Sequence, residues 1–139
     1  MAGNVHELRP KAGETEKITI NLGYVDLGHI DLLVQEGFYT NRTDFIRTAI
    51  RNQLDRHNEA VKQCLARRTV DFGLRRFSRE SLETIRASGE MLHIQVLGLA
   101  IIAPDVSPDL ARATIASVQV LGALQASAEV KAALSDRIH

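Results

Sequence analysis

The feature that most constrains the fold is the alternation of polar and apolar residues between Lys17 and Gly23. The apolar members are Ile18, Ile20 and Leu22, and the polar members are Lys17, Thr19 and Asn21. Because successive side chains of a strand point to opposite faces, this pattern predicts a β-strand with one apolar and one polar face. A lone strand leaves both edges unpaired, so we expect it to pair with the same strand of a second chain.

Such a pairing would give an antiparallel two-stranded ribbon with a polar upper face. The polar face would carry two copies of Lys17, Thr19 and Asn21, which are suited to hydrogen-bonding the edges of bases. A two-stranded ribbon fits the major groove of B-DNA. The pattern therefore favours a DNA-binding function, with Lys17 expected on guanine and Asn21 on adenine.

Two helices are predicted after the strand. The first is expected from about Leu27 to Glu36, with Asp26 as its N-cap and Gly37 as its stop. The second is expected to begin near Arg42 and to continue to about Ala66. Both carry an apolar stripe at helical spacing, as expected for helices that pack against a partner.

The start of the second helix has a motif of its own, Asn41-Arg42-Thr43-Asp44. Asn41 can cap the helix, and Asp44 can reach back to it as in a capping box. The free amides and the positive dipole end of a helix N-terminus also bind phosphate. The alternative, that Asn41 only caps the helix, stays open, since the same amides can serve both roles.

The order of strand, helix, turn and helix resembles the ribbon-helix-helix DNA-binding proteins of the CopG, Arc and MetJ class. The resemblance covers roughly residues 16 to 57 and rests on the alternating strand, Gly37 and the Asn41–Arg51 helix opening. It implies an intertwined homodimer that contacts double-stranded DNA. The implied base-contacting residues are Lys17, Thr19 and Asn21; the phosphate-contacting residues are Asn41, Arg42 and Thr43; and the dimer core is formed by Ile18, Ile20, Leu22, Ile46 and Ile50.

From about Thr69 the pattern changes to alternating strands and helices. The expected strands are Val70–Phe77, Leu92–Ala103 and Ser117–Gln125, and the expected helices are Arg79–Ser88, one that opens at Ser107-Pro108-Asp109, and Ala128–Ile138. We expect a serine to cap each of these helices: Ser78, Ser107 and Ser127. The segments Ile94–Gly98 and Val118–Gly122 are near repeats of each other. Short helices between strands favour parallel neighbours, so we predict a small βα-repeat domain with a short parallel sheet.

One face of this predicted sheet is unusually apolar. We predict that Leu97, Leu99 and Leu121 lie on the face away from the helices, where they would be too apolar to remain in water. The chain has little left to cover them, so these residues are expected to form an oligomer interface. The alternative is that the helices wrap both faces of the sheet.

Composition limits the other classes of function. The 17 basic residues balance the 17 acidic ones, so DNA binding must depend on where charges lie. The single cysteine excludes an internal disulfide and fits a reducing cytoplasm, and no signal peptide is recognised. We find no catalytic constellation, phosphate-binding glycine loop or metal-ligand spacing among the five histidines. We therefore expect no enzyme activity, no metal, no cofactor and no membrane partner.

The sequence as a whole predicts an α+β protein with three parts. Residues 1–15 are expected to form a flexible arm, 16–66 the ribbon-helix-helix domain, and 67–139 the βα-repeat domain that builds a tetramer or larger assembly. The expected function is a bacterial DNA-binding transcriptional regulator, most simply a repressor. Two alternatives remain: the antitoxin of a toxin–antitoxin pair, and a structural protein that assembles through the C-terminal repeats.

Overall fold

The computed structural model describes residues 14–139, and residues 1–13 of the predicted arm lie outside this range. The described chain divides into two compact units, one running from Lys17 to Arg68 and the other containing Thr69–His139. The elements are α1 Tyr24–Gln35, α2 Arg42–Arg56, α3 Asn58–Ala66, β1 Asp71–Phe77, α4 Arg79–Ser88, β2 Leu92–Ile102, α5 Pro108–Thr114, β3 Ile115–Gln125 and α6 Ala128–Ala133. Within the described residues, no helix is long and apolar enough to cross a membrane.

Helix α1 starts earlier than the sequence predicts. It begins at Tyr24 instead of Leu27, and Gly23 occupies the N-cap without a side-chain hydrogen bond. Asp26 therefore lies in the first turn, where its charge complements the helix dipole. The predicted stop is confirmed, because Gly37 has a φ of 86° and the Phe38 amide donates to the Leu33 carbonyl (3.0 Å).

Helix α2 begins where predicted, with the Asn41 side chain accepting a hydrogen bond from the Asp44 amide (2.8 Å). The Asp44 carboxylate does not return to Asn41 as a capping box would. It accepts instead from the amide (3.0 Å) and hydroxyl (3.2 Å) of Thr40. The predicted single helix to Ala66 is also wrong, because His57 separates α2 from α3. The residues at the break, His57 and Asn58, are both weak helix formers.

In the second unit, three parallel strands form a sheet in the order β1-β2-β3. The near repeats lie side by side in register, with Ile94 opposite Val118 and Gly98 opposite Gly122. The short parallel sheet predicted from the repeats is therefore present. Strand β3 begins at Ile115, earlier than predicted. Its pairing with β2 shifts register between Leu92 and His93, which lie opposite Ile115 and Ser117.

Serine caps start all three helices of this unit. The hydroxyls of Ser78, Ser107 and Ser127 accept from the amides of the residues three positions on: Ser81, Leu110 and Val130. Only the last helix ends differently from the prediction, at Ala133 instead of Ile138. Beyond it the chain returns to β3, where the His139 amide donates to the Val118 carbonyl (2.9 Å). This pairing with a strand draws the last residues out of the helix.

The three helices pack on one face of the sheet. One buried cluster unites them with the even-numbered residues of β2; its members include Leu82, Leu110, Val130, Ile94, Val96, Ala100 and Ile102. The alternative in which helices wrap both faces is therefore wrong. On the opposite face, Leu121 is 52% exposed and Leu97 is half-buried, whereas Leu99, in the middle of the sheet, is buried.

A row of three glycines crosses the sheet. Gly73, Gly98 and Gly122 lie opposite one another on β1, β2 and β3 and all have positive φ (103°, 135° and 124°). A Cβ atom on Gly98 would overlap the Gly73 carbonyl oxygen, and one on Gly122 would overlap that of Gly98. Glycine is thus required at the second and third positions both by conformation and by space.

Candidate nucleic-acid interface

The alternating segment 17–22 forms no hydrogen-bonded strand within the single chain. Its residues are all exposed; Ile18 is 73% exposed and Ile20 is 59% exposed. No other described segment of the chain pairs with it, which is why the predicted strand is missing here. The alternation that specifies an apolar face is present, but a single chain leaves that face in water.

The two helices that follow also bury little of their apolar surface. Ile30 is the only apolar side chain of residues 17–68 that is buried. Of the helix residues assigned to a dimer core by the resemblance, Ile46 is half-buried and Ile50 is exposed. The aromatic rings of Tyr39 and Phe45 contact each other edge to face, with centroids 5.0 Å apart. This unit therefore lacks an internal core of the size that its apolar content could build.

The polar residues of the segment are accessible. Lys17, Thr19 and Asn21 are exposed, and no acidic residue lies between them. Asn41, Arg42 and Thr43 are also exposed, at the start of α2. Among the described residues, no hydrogen bond or ion pair joins the segment to this helix start. One chain alone therefore presents two separate polar surfaces.

The Arg42 side chain already has a partner. Its Nε and Nη2 atoms donate to the two carboxylate oxygens of Asp31 in α1, each at 2.8 Å. This bidentate pair ties the start of α2 to α1. The hydrogen bond from Arg42 is the main cause that lowers the pKa of the Asp31 carboxyl, and the same bond raises the pKa of Arg42. The sequence analysis did not identify Asp31 as a partner of the α2 start, because the two residues of the pair lie on different helices.

The amides of the first turn of α2 remain suited to an anion. The first amides of a helix have no intrahelical acceptor, and Asn41 satisfies the amide of Asp44. The amides of Arg42 and Thr43 are thus the groups through which this helix start can hold a phosphate. In the single chain the guanidinium of Arg42 is held by Asp31.

We expect Asp31→Asn to loosen the contact between α1 and α2 in a pH-dependent way. A carboxyl whose pKa is lowered by folding adds stability above its ordinary pKa of 3.8 and loses that contribution as the pH falls through its folded pKa. Thermal unfolding at pH 7 should therefore show the variant below wild type, and the difference should shrink below pH 3.8. The gap should be small, since exposed ion pairs stabilise little.

The matched control is Asp55→Asn on α2, because Asp55 forms no ion pair among the described residues. It should not reproduce this loss at pH 7. Equal behaviour of the two variants would mean that the Asp31–Arg42 pair adds nothing to stability in solution.

No group of three or more potential metal ligands occurs within residues 14–139. His57 contacts Gln53 (Nε2 to Nε2, 3.3 Å), and Cys64 is exposed.

Comparison with known protein families gives a match that covers most of the chain. The model of the ribbon-helix-helix transcriptional regulator family matches residues 13–131. This range exceeds the resemblance found in the sequence, which stopped near residue 57, and includes most of the second unit. Comparison with curated proteins and with solved structures gave no match.

Proposed function

The chain belongs to the ribbon-helix-helix transcriptional regulator family, and from this premise we propose that it is a sequence-specific repressor that reads the major groove through a dimeric β-ribbon. The family implies a DNA-binding protein that works as a dimer. The proposal adds the contact residues, the mode of dimerisation and the sign of regulation. It places the protein in the cytoplasm and assigns it no catalytic role.

The observation that carries the proposal is the exposed, alternating segment 17–22. Two such segments from two chains can pair antiparallel and satisfy each other's backbone groups. Their apolar faces, which include Ile18 and Ile20, would then be covered by the helices of both chains, where Ile46 and Ile50 have surface to bury. One association event thus forms the ribbon and completes the core.

The polar face of that ribbon supplies base contacts. Lys17 can donate to the O6 and N7 acceptors of guanine, and the Asn21 amide can bond adenine through N6 and N7. Thr19 lies between them and can contact either kind of base edge. The amides of Arg42 and Thr43 would hold a phosphate on each side and fix the register of the ribbon.

The deciding experiment begins with selection of bound fragments from a random DNA library by the full-length protein. We then expect Asn21→Ala to weaken binding to the selected site by a factor of roughly 5 to 150, the equivalent of the about 1–3 kcal/mol that a good bidentate base contact contributes. Binding to random DNA should change little. Titration by fluorescence anisotropy at fixed salt measures both.

The matched control is Asn52→Ala, which makes the same change at an exposed position of α2. It should bind both DNAs as wild type does. If Asn21→Ala weakens both DNAs equally, Asn21 positions the protein and does not read sequence. Failure of the library to enrich any site would refute the proposed specificity.

The face of the C-terminal sheet that points away from the helices, which carries Leu97, Leu99 and Leu121, is called the open face below. We further propose that this open face joins two dimers on neighbouring half-sites. Leu121 is half-exposed and Leu97 half-buried on this face, where they lie opposite each other in the row next to that of Leu99. The double variant Leu97→Glu with Leu121→Glu should lower affinity for a tandem site by a factor on the order of 10², through lost tethering. Affinity for an isolated half-site should be unchanged.

An unchanged size by light scattering and an unchanged tandem affinity would exclude this face as the interface. Truncation after Ala66 provides the second test, and should leave single-site binding while removing the higher affinity for the tandem site.

The buried cluster of the second unit argues against the antitoxin alternative, in which a C-terminal tail folds on its toxin. Growth of the assembly with concentration would favour the structural-protein alternative.

A further inference from the structure

Strand β1 is an open edge of the C-terminal sheet, and it carries exposed apolar residues. Within residues 14–139, where the strand order is β1-β2-β3, it has a neighbour on one side only. Phe72 is 74% exposed and Leu74 is 52% exposed. Both lie in the rows of the open face, opposite Leu97 and Leu99 of β2. An apolar, unpaired edge strand is a template for another strand, and proteins usually protect such edges.

The charges on the other face of β1 are arranged symmetrically about one residue. Asp71 and Arg75 lie two residues before and two residues after Gly73, and their side chains form an ion pair across it (3.2 Å). Gly73 itself has a φ of 103°, and no described atom beyond Gly73 and its two chain neighbours lies within 4 Å of the position that a Cβ would take. Glycine in a strand often marks a close approach of another backbone, and here it leaves the centre of the edge bare.

We propose that β1 pairs antiparallel with β1 of a second copy of this chain, centred on Gly73, so that the two sheets become one. Such a pair follows a twofold axis, in which each contact occurs twice. It sets Phe72 opposite Leu74 of the second copy and Asp71 opposite Arg75 of the second copy. Two identical β1 strands can therefore form both the apolar pair and the charge pair, and each of these pairs occurs twice.

This register is self-complementary on both faces. Aromatic–aliphatic and opposite-charge pairs stabilise neighbouring antiparallel strands, whereas like charges opposite each other destabilise them. A shift of the register by one residue would set Asp71 opposite Leu74 and move Phe72 to the wrong face. The pairing also satisfies the outward backbone groups of β1.

The pairing requires no DNA and is distinct from the contact proposed for the Leu97–Leu121 face. If the two copies are the chains of the proposed ribbon-helix-helix dimer, their shared N-terminal unit raises the local concentration of one β1 edge near the other. To that extent the inference rests on the proposed function, so its test must report on β1 alone.

The test is directed disulfide formation in the full-length chain. Cys64 is first replaced by serine, and chains with Phe72→Cys and chains with Leu74→Cys, distinguished by a mass tag, are coexpressed and oxidised. Opposite residues of antiparallel strands lie about 4.5–5.5 Å apart, within the range of a disulfide. Position 72 of one copy and position 72 of the other are diagonal neighbours, roughly 7–8 Å apart, which is too far for easy bridging.

We expect the mixed disulfide between the two kinds of chain to dominate, well beyond the half share that random collision gives. Leu121→Cys, on the same face but on β3, is the control and should not link through this pairing. A statistical mixture of the three disulfides, or no disulfide in a protein that sizes as a dimer, would overturn the proposal. Circular dichroism verifies that the exposed substitutions leave the fold intact.

Hydrogen exchange of the wild-type protein gives an independent measurement. Amides of β1 that do not bond to β2 should be protected at high protein concentration and should lose that protection on dilution. Free exchange of these amides in the assembled protein would also refute the pairing. Because DNA binding is measured separately with Asn21→Ala, failure of the ribbon proposal and failure of the β1 pairing are distinguishable.

Discussion

Replacing Ile20 with lysine is expected to abolish the folded dimer. Ile20 is 59% exposed in the single chain, and in the proposed ribbon it lies on the face that two chains bury together. A buried unpaired charge carries an effective cost of several kcal/mol per ion, and the dimer would hold two of them. Typical stabilities of about 5–15 kcal/mol leave little room for such a loss.

Sedimentation and thermal unfolding at several concentrations measure this effect. The wild-type N-terminal unit should become more stable as concentration rises, because association and folding are coupled. The control is Thr19→Lys, which adds the same charge one residue away on the polar face and should still form dimers. A well-folded dimer from Ile20→Lys, or an equally folded monomer, would contradict the intertwined arrangement.

Replacing Gly122 with alanine is expected to unfold the C-terminal unit. Its φ of 124° costs any other residue about 1–3 kcal/mol in strain. The new Cβ would also overlap the Gly98 carbonyl oxygen, which belongs to the backbone of β2 and cannot rotate away. The strands would have to separate, so we expect a total loss above about 4 kcal/mol, in the range of exceptional substitutions.

The control variant Gly73→Ala separates the cost of backbone strain from the cost of overlap with a carbonyl oxygen. Gly73 has a similar φ of 103°, but a Cβ there would meet no described atom within 4 Å. At concentrations below those at which β1 pairs with a second copy, the control should therefore lose only the strain, about 1–3 kcal/mol, and remain folded. Far-UV circular dichroism in denaturant and exchange of the β3 amides measure both variants. Equal losses would show that overlap with the carbonyl is relieved at little cost.

Much of the fold follows from local signals in the sequence. The serine caps at Ser78, Ser107 and Ser127 and the stop at Gly37 lie where the sequence predicts them, because a cap depends on residues within one turn. The near repeat of Ile94–Gly98 likewise predicts neighbouring strands, since equal patterns suit equal positions in a sheet. The family was recognisable from residues 16 to 57, whereas the family model extends to residue 131.

The candidate site was less accessible to sequence reasoning. The alternation from Lys17 to Asn21 indicates the two faces of a strand, but neither the sequence nor one chain supplies the strand's partner. The pairing of Arg42 with Asp31 could not be foreseen, because the two residues lie on different helices and no periodic spacing relates them. That pair gives the Arg42 side chain a partner within the chain, while its expected contact with phosphate stays a prediction.

Patterns along the sequence are sufficient to indicate which residues alternate, where most of the helices begin and which segments repeat. The three-dimensional fold was needed to show that all three C-terminal helices pack on one face, that the last residues return to β3, and that Gly98 and Gly122 each lie against a neighbouring carbonyl. The physical reason is the range of the interactions. Caps and alternation are set by neighbours along the chain, whereas packing, backbone approach and ion pairs between helices depend on residues that only folding brings together.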